Sequence, residues 1–181
     1  MLNRLIIGRM FIKNGIAVIA LHFFSFAVQA QSSVTLNVNL YPIQTLVVNA
    51  EQKSVDLSYN TREDYKNGVV SEQKDHLTIY STGGFQVKVN AIAASATDKT
   101  FENIAVLPTS GSQPLSNSHA VYTQKNISET AQPIISATKG AINKNVNISY
   151  KGAANDTFAD FANSNSVINK SYTIVYTIIS Q

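Results

Sequence analysis

The chain has 181 residues, no cysteine, and 14 Lys and Arg against 11 Asp and Glu. Disulfides and thiolate metal sites are thereby excluded, so a domain of ordinary size rests on its apolar core alone. The whole surplus of +3 resides in Arg4, Arg9 and Lys13; beyond them the charges balance, and no cation cluster remains to hold nucleic acid or an anionic membrane.

Those three cations open a segment that reads as a signal peptide over residues 1–30. The run Ile16 to Val28 is apolar apart from His22 and Ser25, and Val28-Gln29-Ala30 places small residues at the −3 and −1 positions of a peptidase site. The expected mature start is Gln31, and no lipid-accepting cysteine follows it. Export by way of the periplasm is the expectation. The near-neutral remainder favours close association between like subunits, because self-repulsion is small.

Behind the cleavage site comes Ser33-Val34-Thr35-Leu36-Asn37-Val38-Asn39-Leu40-Tyr41-Pro42, a strictly alternating run ended by proline. We treat residues 31–41 as an N-terminal extension and 42–181 as a single domain. Ile43 to Val48 reads as a strand, as does Ser54 to Tyr59, where Val55, Leu57 and Tyr59 share a face. A charged loop is expected through Gly68. His76 to Ser81 and Phe85 to Ala91 alternate on either side of Gly83-Gly84, the pattern of a hairpin.

Further on, Asn103 to Leu107 reads as a strand closed by Pro108, and Thr109 to Ser118 as a long surface loop. His119 to Thr123, Pro133 to Ala137 and Asn145 to Tyr150 are further strands; Asp156 to Ala162 suits one helical turn carrying Phe158 and Phe161. The chain closes on its strongest strand, Ser171 to Gln181. There Tyr172, Ile174, Tyr176 and Ile178 form one face while Val175 and Ile179 make the other partly apolar, so a central or covered position is expected. Eight or nine short strands with recurring turn signals indicate an all-β antiparallel sandwich.

A search for chemistry returns no Gly-x-Ser-x-Gly elbow, no phosphate-binding glycine loop and no histidine pair at metal spacing; His76 and His119 stand far apart. Glu63-Asp64 and Asp156 with Asp160 fall in predicted loops, as solvated charges do. We therefore expect no enzyme activity, no catalytic residue, no metal site and no cofactor.

The alternating arm ending in Pro42, the hexapeptide Val55-Asp56-Leu57-Ser58-Tyr59-Asn60 and the unit ending Phe85-Gln86-Val87-Lys88-Val89 together resemble the major subunits of alpha-type fimbriae assembled by the chaperone–usher route. The resemblance runs from Ser33 to Ala91; the rest matches only as a β-pattern. It implies an immunoglobulin-like sandwich completed by a donor strand from a neighbour, with Val34, Leu36, Val38 and Leu40 as the side chains that fill the neighbour's groove. It further implies a head-to-tail homopolymer at the cell surface with a role in adhesion, served by a periplasmic chaperone and an outer-membrane usher.

A second reading stays open. The closing Tyr-Thr-Ile-Val-Tyr-Thr-Ile-Ile is also similar to the terminal strand of cell-wall-binding surface domains, without the tryptophan that those domains use. On that reading the chain is a non-polymerising sandwich that binds wall or glycan, and the arm pairs within its own domain.

Overall fold

The computed structural model describes residues 31–93, 98–162 and 166–181. The expected signal peptide lies outside these residues. Tyr41–Gln181 forms one folded unit, and the residues up to Leu40 belong to a separate one.

Alternating apolar residues build nine strands among the described residues: β1 (Gln44–Val48), β2 (Val70–Ser81), β3 (Phe85–Ala93), β4 (Ile104–Ser110), β5 (Ala120–Tyr122), β6 (Lys125–Asn126), β7 (Gln132–Ala137), β8 (Ala141–Gly152) and β9 (Tyr172–Ser180). They make two sheets, ordered β1-β2-β8-β4-β6 and β5-β7-β3-β9, and every pairing is antiparallel. The inner faces bury Leu77 and Ile79 of β2, Phe85, Val87 and Val89 of β3, Val106 of β4, Ile134 and Ile135 of β7, and Val146 and Ile148 of β8. An all-β antiparallel sandwich is thus the fold, as the strand spacing indicates.

Several local expectations are corrected. β2 and β3 do not form a hairpin: they lie in different sheets, β2 between β1 and β8, β3 between β7 and β9. The Gly83-Gly84 turn permits either geometry, and the choice falls to partners remote in sequence. At Gly84 a Cβ would stand 3.1 Å from the Ala137 carbonyl oxygen, so the crossing chain runs close against the end of β7.

Ser54 to Tyr59 forms no ladder. Its alternation is real, with Val55, Leu57 and Tyr59 half-buried and Ser54, Asp56 and Ser58 exposed, but period two reports burial on one side and not strand pairing. The expected loop before Gly68 contains a short helix, α1 (Arg62–Asn67). Its cap is legible: the Thr61 side chain accepts from the Asp64 amide and the Asp64 carboxylate accepts from the Thr61 amide, while Gly68 ends the helix at φ 77°.

Pro108 does not close its strand, since β4 runs on to Ser110. It pairs with β8 throughout, but its other neighbour, β6, reaches only Ala105 and Val106, so the missing amide at 108 removes no ladder bond on that side. β9 is the largest correction. Instead of lying centrally it stands at the end of its sheet, bonded to β3 alone among the described residues.

β2 also begins earlier than expected and carries a bulge. The register with β8 shifts between Gln73 and Leu77, and Asp75 sits in the left-handed region at φ 50°. Its amide donates to Asn147 Oδ1 at 2.8 Å, and its carboxylate accepts from the Ser112 amide and hydroxyl at 2.8 and 2.7 Å. The extra residue breaks the alternation so that His76 and Leu77 are both buried in succession.

Candidate functional site: an uncovered strand at the sandwich edge

Every residue of β9 from Tyr172 to Ser180 has its partner on β3, in the register Tyr172↔Ala93 to Ser180↔Phe85. Among the described residues no strand pairs with the other side of β9. That edge, nine residues long, presents a row of backbone donors and acceptors without ladder partners. The opposite end of the same sheet is β5, whose three residues expose far less of such an edge.

The side chains of β9 tell the same story. Tyr172, Ile174, Tyr176 and Ile178 pack against the core, yet each is only half-buried. On the facing sheet the terminal strand is β1, where Leu46 and Val48 point inward beside Ile79 and Leu77 of β2 and are likewise half-buried. β1 and β9 approach one another without hydrogen bonding between them. Along this side the core of the sandwich is therefore incompletely covered, whereas β3, β7 and β8 at its centre bury theirs fully.

The outer face of β9 adds Val175 and Ile179, both half-buried. Apolar residues on both faces are what led the sequence to suggest a covered strand. The position is an edge, and the composition is that of a strand with two neighbours.

The inner face of β9 is tied to the opposite sheet. Tyr176 and Tyr150 of β8 join hydroxyls at 2.7 Å, and the Tyr150 hydroxyl meets His76 Nε2 at 3.1 Å. His76 Nδ1 lies 2.9 Å from Gln52 Oε1, in the 3-10 turn Ala50–Gln52 that follows β1. Burial holds the His76 ring below its ordinary pKa and pushes both phenols up, so all three groups are neutral near neutral pH.

At the start of β9, the Tyr172 hydroxyl donates to Asp98, whose carboxylate also accepts from the Thr100 hydroxyl and amide and pairs with Lys170 at 3.0 Å. The Thr100 bonds, above all, hold the Asp98 carboxyl far below the usual carboxylate range. Lys170 lies over the Phe161 ring at 5.1 Å. The result is a fixed anchor on a partly exposed surface. Among the described residues no group of three or more His, Asp or Glu is placed to hold a metal ion.

The four residues singled out in the arm, Val34, Leu36, Val38 and Leu40, are between 69% and 93% exposed, and residues 31–40 carry no ladder pairing. Sequence reasoning missed the complementary half of the site, the open edge of β9 and the half-buried Leu46, Val48, Ile174, Tyr176 and Ile178. The apolar second face of β9 was the available signal.

No family model matches the chain, and no curated protein matches it.

Proposed function

We propose that this chain is an exported structural subunit of a surface fimbria or pilus, polymerising by donating its N-terminal strand to a neighbouring subunit and serving adhesion. One observation carries the reading: β9 is built like a strand with two neighbours and, among the described residues, has one. A long edge with half-covered apolar side chains is an aggregation hazard unless another strand occupies it. The chain carries a candidate occupant in residues 33–40, an alternating segment whose Val34, Leu36, Val38 and Leu40 are exposed.

Addition of such a strand supplies both missing elements at once, ladder bonds to β9 and aliphatic side chains for the incomplete core. Burying Val34, Leu36, Val38 and Leu40 contributes on the order of 6–12 kcal/mol before ordering costs. An arm given by each copy to the next makes a heterologous contact that does not close, and the product is a filament. Until assembly the same edge needs temporary cover, the role that a periplasmic chaperone and an outer-membrane usher fill on this reading. The immunoglobulin-like description of the sandwich belongs to the same proposal.

Deletion of residues 31–41 tests it. The full chain is expected to give ladders on mildly denaturing gels and filaments by electron microscopy, and the deleted chain neither. Equal assembly by both chains, or a stable monomer in both, would overturn the proposal.

A further inference from the structure

The bulge at Asp75 turns His76 into the core, where both ring nitrogens are engaged. Gln52 settles which nitrogen carries the proton. Its Nε2 donates to the Lys74 carbonyl at 2.9 Å, so its Oε1 faces the ring and Nδ1–H is the donor. Nε2 then accepts from Tyr150, and Tyr150 in turn accepts from Tyr176. Every proton in this chain points one way, from β9 through β8 to β2 and on to Gln52.

Both phenol rings also meet the imidazole edge-on, with centroids 5.8 Å away at 89° for Tyr150 and 74° for Tyr176. Since β2 and β8 belong to one sheet and β9 to the other, the relay spans the sandwich and fastens the strand with the open edge.

We propose that the relay from His76 to Tyr176 is a proton-sensitive clamp on β9, closed while the imidazole is neutral and loosened when it takes a second proton. The added N–H at Nε2 needs an acceptor. The Tyr150 oxygen can serve only by swinging its own proton towards Tyr176, and the Tyr176 proton then loses its place; no further hydrogen bond to that hydroxyl is formed among the described residues.

Among the described residues the ring makes no ion pair that would compensate the charge; the titratable groups in contact with it are the two phenols, and Gln52 on the turn is neutral. Asp75, the nearest acid in sequence, is turned outward to Ser112. Asp98, at the far end of β9, stays ionised through the range concerned.

The sign follows from linkage. An unfolded histidine titrates at 6.5, and the folded ring lies below that, so the unfolded or opened state takes the proton first. The clamp is fully closed above 6.5 and weakens as pH falls below it. For assembly, which here rests on reading β9 as the acceptor edge, mild acid loosens the strand that receives the arm.

Hydrogen exchange on the full chain at pH 8 and pH 5, corrected for intrinsic rates, tests the clamp without reference to assembly. Protection of the β9 amides bonded to β3 is expected to fall at pH 5, by at most about tenfold per pH unit for one linked proton, and by more than in β4. His76→Gln is expected to remove the step. Tyr176→Phe, which keeps the ring, is expected to leave β9 less protected at pH 8 and no longer responsive to pH. Unchanged protection in the full chain, an equal loss in every strand, or a step that survives in Tyr176→Phe would each overturn the clamp. The arm deletion, made at one pH, tests the acceptor reading separately.

Discussion

Asp75 decides what His76 can do. Its left-handed backbone, held by Ser112 and Asn147, inserts the residue that rotates the imidazole inward. At this scale the relay makes an ordering of costs. Tyr150→Phe strands His76 Nε2 and the Tyr176 hydroxyl together and is expected to cost about 1–3 kcal/mol, whereas Tyr176→Phe removes only the terminal donor at about 0.5–1.5 kcal/mol. Urea unfolding at pH 8 checks the order, and a Tyr176 cost above that of Tyr150 would contradict it. Little of this was legible beforehand. Strict alternation along β2 places Leu77 and Ile79 inward and His76 outward, and nothing local marks an aspartate as a bulge whose ligands, Ser112 and Asn147, lie on distant segments.

For whole elements, the capping box of α1 and the incomplete cover of β9 lead to separate measurements. Thr61→Ala removes the acceptor for the Asp64 amide and is expected to cost about 1 kcal/mol; a loss of helical signal from α1 with little change elsewhere is the expected spectroscopic result. In the core, Ile135→Ala at a fully buried site is expected to cost about 2–5 kcal/mol, and Ile174→Ala on β9 about half of that or less in the unassembled chain. The relation should reverse in importance on assembly, where Ile174→Ala weakens polymers that Ile135→Ala, once folded, does not. Denaturation of monomers beside disassembly of polymers separates the two.

Strand identity was largely readable from period two, because one-sided burial leaves that trace wherever a strand flanks a core. Strand partnership was not. Gly83-Gly84 looks like a hairpin turn from either side, yet its strands separate into different sheets; Ser54 to Tyr59 alternates without pairing; and β9 shows the composition of a covered strand at an uncovered edge. Each of these is decided by neighbours far away in the sequence. The mismatch at β9 is the informative one, since the proposal of a neighbour beyond the sheet rests on it.

On the scale of the molecule, the proposed assembly, with a balanced charge beyond Lys13 and aliphatic residues in the arm, would lean on burial and ladder bonds. Raising salt to about 0.5 M is therefore expected to change the extent of polymerisation little, where an interface built on ion pairs would weaken as screening shortens; gel ladders across a salt series measure it. The arm was visible in the sequence as an alternating run, but residues 31–40 form no strand here, and the sequence did not disclose the edge that the proposal sets beside their four aliphatic residues.

The absence of cysteine allows the central claim to be tested by placing thiols at will. Copies carrying only Leu36→Cys, mixed with copies carrying only Ile174→Cys or only Ile178→Cys and assembled under mild oxidation, should form mixed disulfide dimers, with a preference between the two β9 positions that reports the register. Failure of every mixture to cross-link, with disulfides forming instead inside single chains that carry both substitutions, would contradict donation of the arm to a neighbour.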